Sequence, residues 1–196
     1  MRVLGISGSL RHGSFNTALL RHAGALFEAE CAEFEIYDGL RDLPAYDEDV
    51  DVQEAPGPVA RIRATVRESD AVLFATPEYN SSIPGALKNA VDWLSRPSLA
   101  ECALRGKPVA VVGASTGAFG AVWAQAELRK VLGATGARVI KGEVALGRAM
   151  DRFDEDGRLN DQSFAEEVRE IVDEVLAQLI PRAHESAARR AMWEKC

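Results

Sequence analysis

Apolar positions along the chain fall into two recurring patterns. Residues 2–6 read as a first strand, the near-continuous apolar run at 70–76 is the pattern of a parallel strand covered on both faces, and 108–113 reads as another buried strand. Residues 33–37 and 138–144 read as a second and a last strand. Between the runs, apolar residues recur at helical spacing. Leu19, Leu20, Ala23, Leu26 and Phe27 form one such stripe within 16–28, and Val168, Ile171, Val172, Val175 and Leu179 form another within 164–179. Helices are also expected over 59–68, over 84–94 with Pro84 at its start, and over 121–132. Five strands alternating with five helices predict an α/β fold: a doubly wound five-stranded parallel sheet with helices on both faces.

Such a sheet binds ligands beyond the carboxyl ends of its strands, where the strand order reverses. Three loops should meet there, at 8–15, 77–83 and 114–120, all rich in Gly, Ser, Asn or Tyr. Residues 38–58, dense in Asp, Pro, Gly and Tyr, read as a long surface loop able to border the pocket. The first loop, within Gly5-Ile6-Ser7-Gly8-Ser9-Leu10-Arg11-His12-Gly13-Ser14-Phe15-Asn16-Thr17, has the chemistry of a phosphate cradle. Small residues let backbone N–H groups converge, Ser9 and Ser14 offer hydroxyls, Arg11 offers a guanidinium fork, and the helix beginning near Asn16 adds its positive dipole end. No Gly-Lys-Ser/Thr follows, so the loop is not that of a nucleoside triphosphatase. The dinucleotide fingerprint is also absent, and its acidic ribose partner would have to be Glu33 or Glu35, within the second strand. What remains is a hydroxyl-lined pocket for one monoester phosphate, as flavin mononucleotide presents.

Composition narrows the field further. With 196 residues, 47% hydrophobic and 27% charged, the chain suits one globular domain, expected over 1–180. The charged, Ala/Arg-rich stretch 181–196 reads as a mobile extension or an oligomer contact. No apolar run is long enough to span a membrane and no secretory segment precedes residue 7, which makes the cytoplasm the default location. Cys31, Cys102 and Cys196 form no paired motif and read as reduced thiols. The acids at 47–51 lack calcium-loop spacing and read as a solvated rim, so no metal is expected. A net charge of −7 opposes nucleic-acid binding. His12, His22 and His184 match no nucleophile, and no catalytic side chain is assigned; solvent exposure is the plain reading of His12. Trp93 reads as helix packing.

The second loop makes the chain recognisable. Thr76-Pro77-Glu78-Tyr79-Asn80-Ser81-Ser82-Ile83-Pro84-Gly85-Ala86-Leu87-Lys88-Asn89 closely resembles the Pro-Glu-Tyr-Asn motif of the NADPH-dependent FMN reductase family, which includes quinone, azo-dye and chromate reductases. The first loop matches that family's phosphate loop, Asn89-Ala90-Val91-Asp92-Trp93 continues the match, and the resemblance covers roughly residues 1–180. It implies a flavodoxin-like fold with strand order 2-1-3-4-5. It also implies hydride transfer from NADPH or NADH through FMN to a small acceptor such as a quinone, azo compound, chromate or free flavin. Ser9, Arg11, Ser14 and Asn16, with Phe15 beside them, would hold the FMN phosphate. Pro77, Glu78, Tyr79 and Asn80 would lie along the flavin ring and ribityl chain, and Ser115 and Gly117 would close its remaining side. A homodimer or homotetramer is implied, with the helix after Tyr79 near the interface. A noncatalytic flavodoxin-like electron carrier is the alternative. No basic cluster for a 2′-phosphate stands out along the sequence, so the choice between NADPH and NADH stays open.

Overall fold

The computed structural model describes residues 1–51, 55–96 and 102–193, with side chains described through residue 179. In chain order the elements are β1 (Arg2–Ser7), α1 (Phe15–Ala29), β2 (Glu33–Ile36), α2 (Gly57–Glu68), β3 (Ala71–Ala75), α3 (Gly85–Leu94), β4 (Pro108–Ala114), α4 (Val122–Ala134), β5 (Arg138–Val139), β6 (Val144–Leu146) and α5 (Gln162–Trp193). The sheet runs β2-β1-β3-β4-β5 with every pairing parallel, as expected, and β6 also pairs with β4. Alternate residues of the central strands face opposite layers. Val3, Leu73 and Val112 pack under α1 and α5, whereas Leu4, Phe74 and Val111 pack against the layer of α2, α3 and α4. Both layers are apolar, which is why β3 and β4 read as continuous apolar runs.

Three features depart from the sequence expectation. The single last strand expected over 138–144 is two short strands, β5 opposite Pro108 and Val109, and β6 opposite Val112–Ala114. Between them the ladder is interrupted by Arg129 of α4, whose Nη2 donates to the carbonyls of Val111 at 2.9 Å and Gly142 at 3.0 Å. The guanidinium thus satisfies acceptors that a continuous strand would have used. Burial pushes the Arg129 pKa down, partly offset by Glu143.

The second departure is α5, which continues beyond the apolar stripe ending at 179 and carries the backbone of 180–193 as helix. The side chains of the expected 181–196 extension lie outside the described residues. Third, the acidic stretch 47–51 is not solvated throughout. The Asp51 side chain is only 2% exposed and pairs with buried Arg63 of α2 at 2.9 Å. Arg63 also donates to the Trp93 carbonyl at 2.8 and 3.0 Å. Fully buried Trp93 in turn donates from Nε1 to the Pro44 carbonyl at 2.9 Å. These contacts tie the long loop after β2 to α2 and α3. A buried guanidinium must have a counter-charge, and Asp51 is where the loop supplies it.

Candidate functional site

The three loops after β1, β3 and β4 converge on one cleft of about 370 Å³ at the carboxyl ends of the strands. This lies within the usual range for small-molecule sites. Ser9, Arg11, Ser14, Phe15 and Asn16 line it from the first loop, Pro77, Glu78 and Tyr79 from the second, and Ser115 from the third. Asn80 and Gly117 stand outside that lining. Ala114, Thr116 and Met150 line it without having been singled out. Met150 lies in a short 3-10 turn, Ala149–Asp151, beyond β6, where no local pattern marks it.

The first loop leaves its donors open. Gly8 donates its N–H to the Ala75 carbonyl at 2.8 Å, and a Cβ there would come within 2.8 Å of Leu87 Cδ2, so a larger residue would push the Leu87 side chain aside. Ser14 is the N-cap of α1, its Oγ accepting from the Thr17 N–H at 3.4 Å. The preceding N–H groups, of Phe15 and Asn16, lie in the first turn, where no intrahelical acceptor exists. Arg11 is exposed, with its guanidinium 5.4 Å from the Phe15 ring centroid, at the same helix end. Ser9 Oγ accepts from the Arg11 N–H at 3.4 Å and keeps its own O–H to donate.

Asn16 behaves differently from its neighbours. It is 3% exposed, and both ends of its carboxamide are tied to the end of β4: Nδ2 donates to the Ala114 carbonyl at 2.8 Å, and Oδ1 accepts from the Ala114 N–H at 2.9 Å. The side chain is a strut between two walls of the cleft, and what it leaves for an anion is the Asn16 backbone N–H and the second proton of Nδ2.

The second loop is built into the protein. Glu78 Oε2 accepts from the N–H groups of Trp123 and Ala124, both at 3.1 Å, and so caps α4, whose N-cap residue Ala121 has no side chain able to do so. Tyr79 and Ser82 exchange two backbone hydrogen bonds of 3.1 Å around Asn80 and Ser81, whose φ values are 53° and 60°. Two left-handed central residues make this a tight hairpin turn that asparagine tolerates well. Ser82 Oγ donates to Glu127 Oε2 of α4 at 2.6 Å. Tyr79 and Met150, both in the lining, are 53% and 71% exposed, and Phe119 and Trp123, in edge contact with each other, are exposed as well.

The third loop is clamped to the segment after β6. Ser115 donates its N–H to the Leu146 carbonyl at 3.0 Å, and the Ser115 carbonyl accepts from the Ala149 N–H at 3.0 Å. A Cβ on Gly120, φ 59°, would lie 2.1 Å from the Ala145 carbonyl carbon. A Cβ on Gly117 would meet only Ser115 Oγ, at 3.4 Å, so no protein contact demands glycine there. One guanidinium, two hydroxyls and two first-turn amides, with Pro77, Tyr79, Ser115 and Thr116 lining the same cleft, fit a group bearing a monoester phosphate and a flat polar ring.

Comparison with known proteins points the same way. The sequence matches the NADPH-dependent FMN reductase family over residues 1–151. It is 44% identical over 180 residues to an NAD(P)H-dependent FMN reductase of Pseudomonas aeruginosa, covering 91% of this chain and 93% of that protein. It is 41% identical over 159 residues to a quinone reductase of Pseudomonas putida, covering 81% and 84% of the two chains. Among solved structures, FerB, a flavoenzyme NAD(P)H:(acceptor) oxidoreductase from Paracoccus denitrificans, superposes with a TM-score of 0.82 at 36% identity, covering 92% of this chain and 97% of FerB.

Proposed function

Because the chain belongs to the NADPH-dependent FMN reductase family, we propose that the cleft at the ends of β1, β3 and β4 is where this oxidoreductase holds FMN. The observation that carries the proposal is the convergence on that cleft of the first-turn amides of α1, Arg11 and two walls made from separate loops. When bound, FMN supplies a ring that takes hydride from NADH or NADPH and passes the electrons to a small acceptor such as a quinone.

The chain's own residues position and neutralise. Arg11, the Ser9 and Ser14 hydroxyls and the N–H groups of Phe15 and Asn16 would balance the phosphate charge at the positive end of α1. Pro77, Glu78 and Tyr79 would form one wall for the ring and Ser115 the other. Asn80 serves that wall through its turn conformation, and Gly117 by leaving room. Exposed Tyr79 and Met150 give the cleft an apolar edge suited to planar acceptors, and the exposed Phe119–Trp123 pair is an apolar surface suited to a second subunit, which supports a homodimer or homotetramer. Among the described residues no helix is long and apolar enough to cross a membrane. The free Cys31 and Cys102 support a cytoplasmic location.

The test is an anaerobic visible spectrum of FMN-reconstituted protein before and after stoichiometric NADPH or NADH. Bleaching of the flavin bands, reversed by a quinone, is expected. Bound flavin that neither donor bleaches would mean an electron carrier, and protein that takes up no FMN would overturn the assignment of the cleft.

A further inference from the structure

On the other side of the first loop lies a second cavity, of about 410 Å³. It shares Ser9 and Arg11 with the flavin cleft, but Ser14 and Asn16, at the helix end, do not line it. Its guanidiniums come from three separate places, Arg11 from the loop, Arg21 from the second turn of α1, and Arg41 from the 3-10 turn Gly39–Asp42 after β2, and His12 of the loop lines it too. The one carboxylate in the lining, Asp38, is already paired with Arg61. Arg21 has no hydrogen bond or ion pair among the described residues, and Arg41 donates only one Nη2 contact, to the Leu10 carbonyl at 2.5 Å. At the base, Thr17 Oγ1 donates to Ser7 Oγ at 2.9 Å. In a chain of net charge −7, a pocket holding three guanidiniums and one neutralised acid is a local reversal of sign.

Charge of this kind, on forked donors with hydroxyls beneath, recognises a phosphate dianion. The flavin phosphate already has its own cradle at the start of α1, so this is a second phosphate position. We infer that the Arg11–Arg21–Arg41 pocket receives the adenosine 2′-phosphate of NADPH. The inference rests on the flavin reading of the neighbouring cleft. Shared Arg11 and Ser9 make the two cavities neighbours, so a dinucleotide passing over Arg11 would have its nicotinamide on the flavin side and its adenosine phosphate among the arginines. NADH lacks that phosphate, so the pocket is a device for preferring NADPH. The sequence hides it because the arginines are far apart along the chain, brought together only when β2 lies beside β1.

The experiment is isothermal titration calorimetry of FMN-loaded protein with NADP⁺, NAD⁺, 2′-AMP and inorganic phosphate, none of which turns over. NADP⁺ should bind at least tenfold more tightly than NAD⁺, and 2′-AMP should compete with it. Arg21→Gln alone, and the Arg21→Gln/Arg41→Gln pair, should shrink the NADP⁺ advantage while flavin content, read from visible absorbance, stays at one per chain. Equal affinities for NADP⁺ and NAD⁺ with flavin bound would overturn the inference and leave the flavin reading standing. Inorganic phosphate that competes with NADP⁺ while NADP⁺ and NAD⁺ bind alike would assign the pocket to free phosphate and overturn it too. Protein that takes up no flavin would sink the flavin reading, and this inference with it.

Discussion

Ser9, Arg11 and Ser14 in the loop after β1 and Glu78, Asn80 and Ser82 in the loop after β3 are polar residues of similar kinds in two loops that meet at one cleft, yet they are used in opposite ways. The first set has local contacts only and keeps donors facing outward: the Arg11 fork, hydroxyl protons, and first-turn amides without acceptors. The second set is consumed by the protein, Glu78 and Ser82 by α4 and Asn80 by its turn. Polar residues of the two loops therefore divide into those left open to the cleft and those that hold its wall still. Substitutions in the first set should cost affinity at constant stability, and those in the second should cost stability first.

Asn16 tests that division most severely, because its place in the first loop puts it with the ligand and its hydrogen bonds put it with the wall. Asn16→Ala removes two buried hydrogen bonds and strands both the N–H and C=O of Ala114. A stability loss of about 2–4 kcal/mol is expected, read as a lower denaturant midpoint of the FMN-free protein. An unchanged midpoint together with weakened FMN binding would move Asn16 to the ligand set and break the comparison.

Arg11→Ala should do the reverse. The guanidinium is exposed and its one protein contact is the Phe15 ring, so the midpoint should move by less than about 0.5 kcal/mol. FMN affinity should fall by about 1.5–3 kcal/mol, the scale of a charge-assisted hydrogen bond. Fluorescence titration of FMN measures it, and an unchanged dissociation constant would remove Arg11 from the phosphate cradle.

Glu78→Ala should resemble Asn16→Ala at smaller scale. The variant strips α4 of its side-chain cap and leaves Ala121, φ 62°, to start the helix unaided, so about 1 kcal/mol of stability should go. Glu78→Gln, which keeps an acceptor but not the charge, should lose less. If either variant lowered FMN affinity with no change in midpoint, the Glu78 carboxylate would belong to the ligand instead of to α4.

What the sequence revealed and what it hid follow from the distance over which each feature is decided. The sheet was legible because β3 and β4 are apolar on both faces, and the first loop because glycines, hydroxyls and the helix start are adjacent in sequence. The Asn16–Ala114 strut joins residues 98 apart, and Glu78 reaches α4 across 45 and 46 positions. Neither leaves a local pattern. The broken edge strand depends on Arg129, whose position in α4 gives no hint that it inserts between β4 and Gly142. The basic pocket was invisible for the same reason, since scattered arginines look solvated until the turn after β2 folds over the first loop.

The smallest effect sharpens the comparison at its finest point. Ser81 occupies the left-handed region at φ 60°, where a Cβ costs about 1 kcal/mol, and its hydroxyl caps nothing in the described structure. Ser81→Gly removes that strain but gives back part of the gain, because glycine loses more chain entropy on folding. A net stabilisation of about 0.5 kcal/mol is expected, since asparagine followed by glycine is the most favourable pair for such a turn. FMN affinity should not change, since Asn80 and Ser81 stand outside the cleft lining. A rise in stability at constant affinity would mean that this tip only builds the wall. A loss of affinity would show that the Ser81 side chain, and with it the tip of the second loop, reaches the ligand after all.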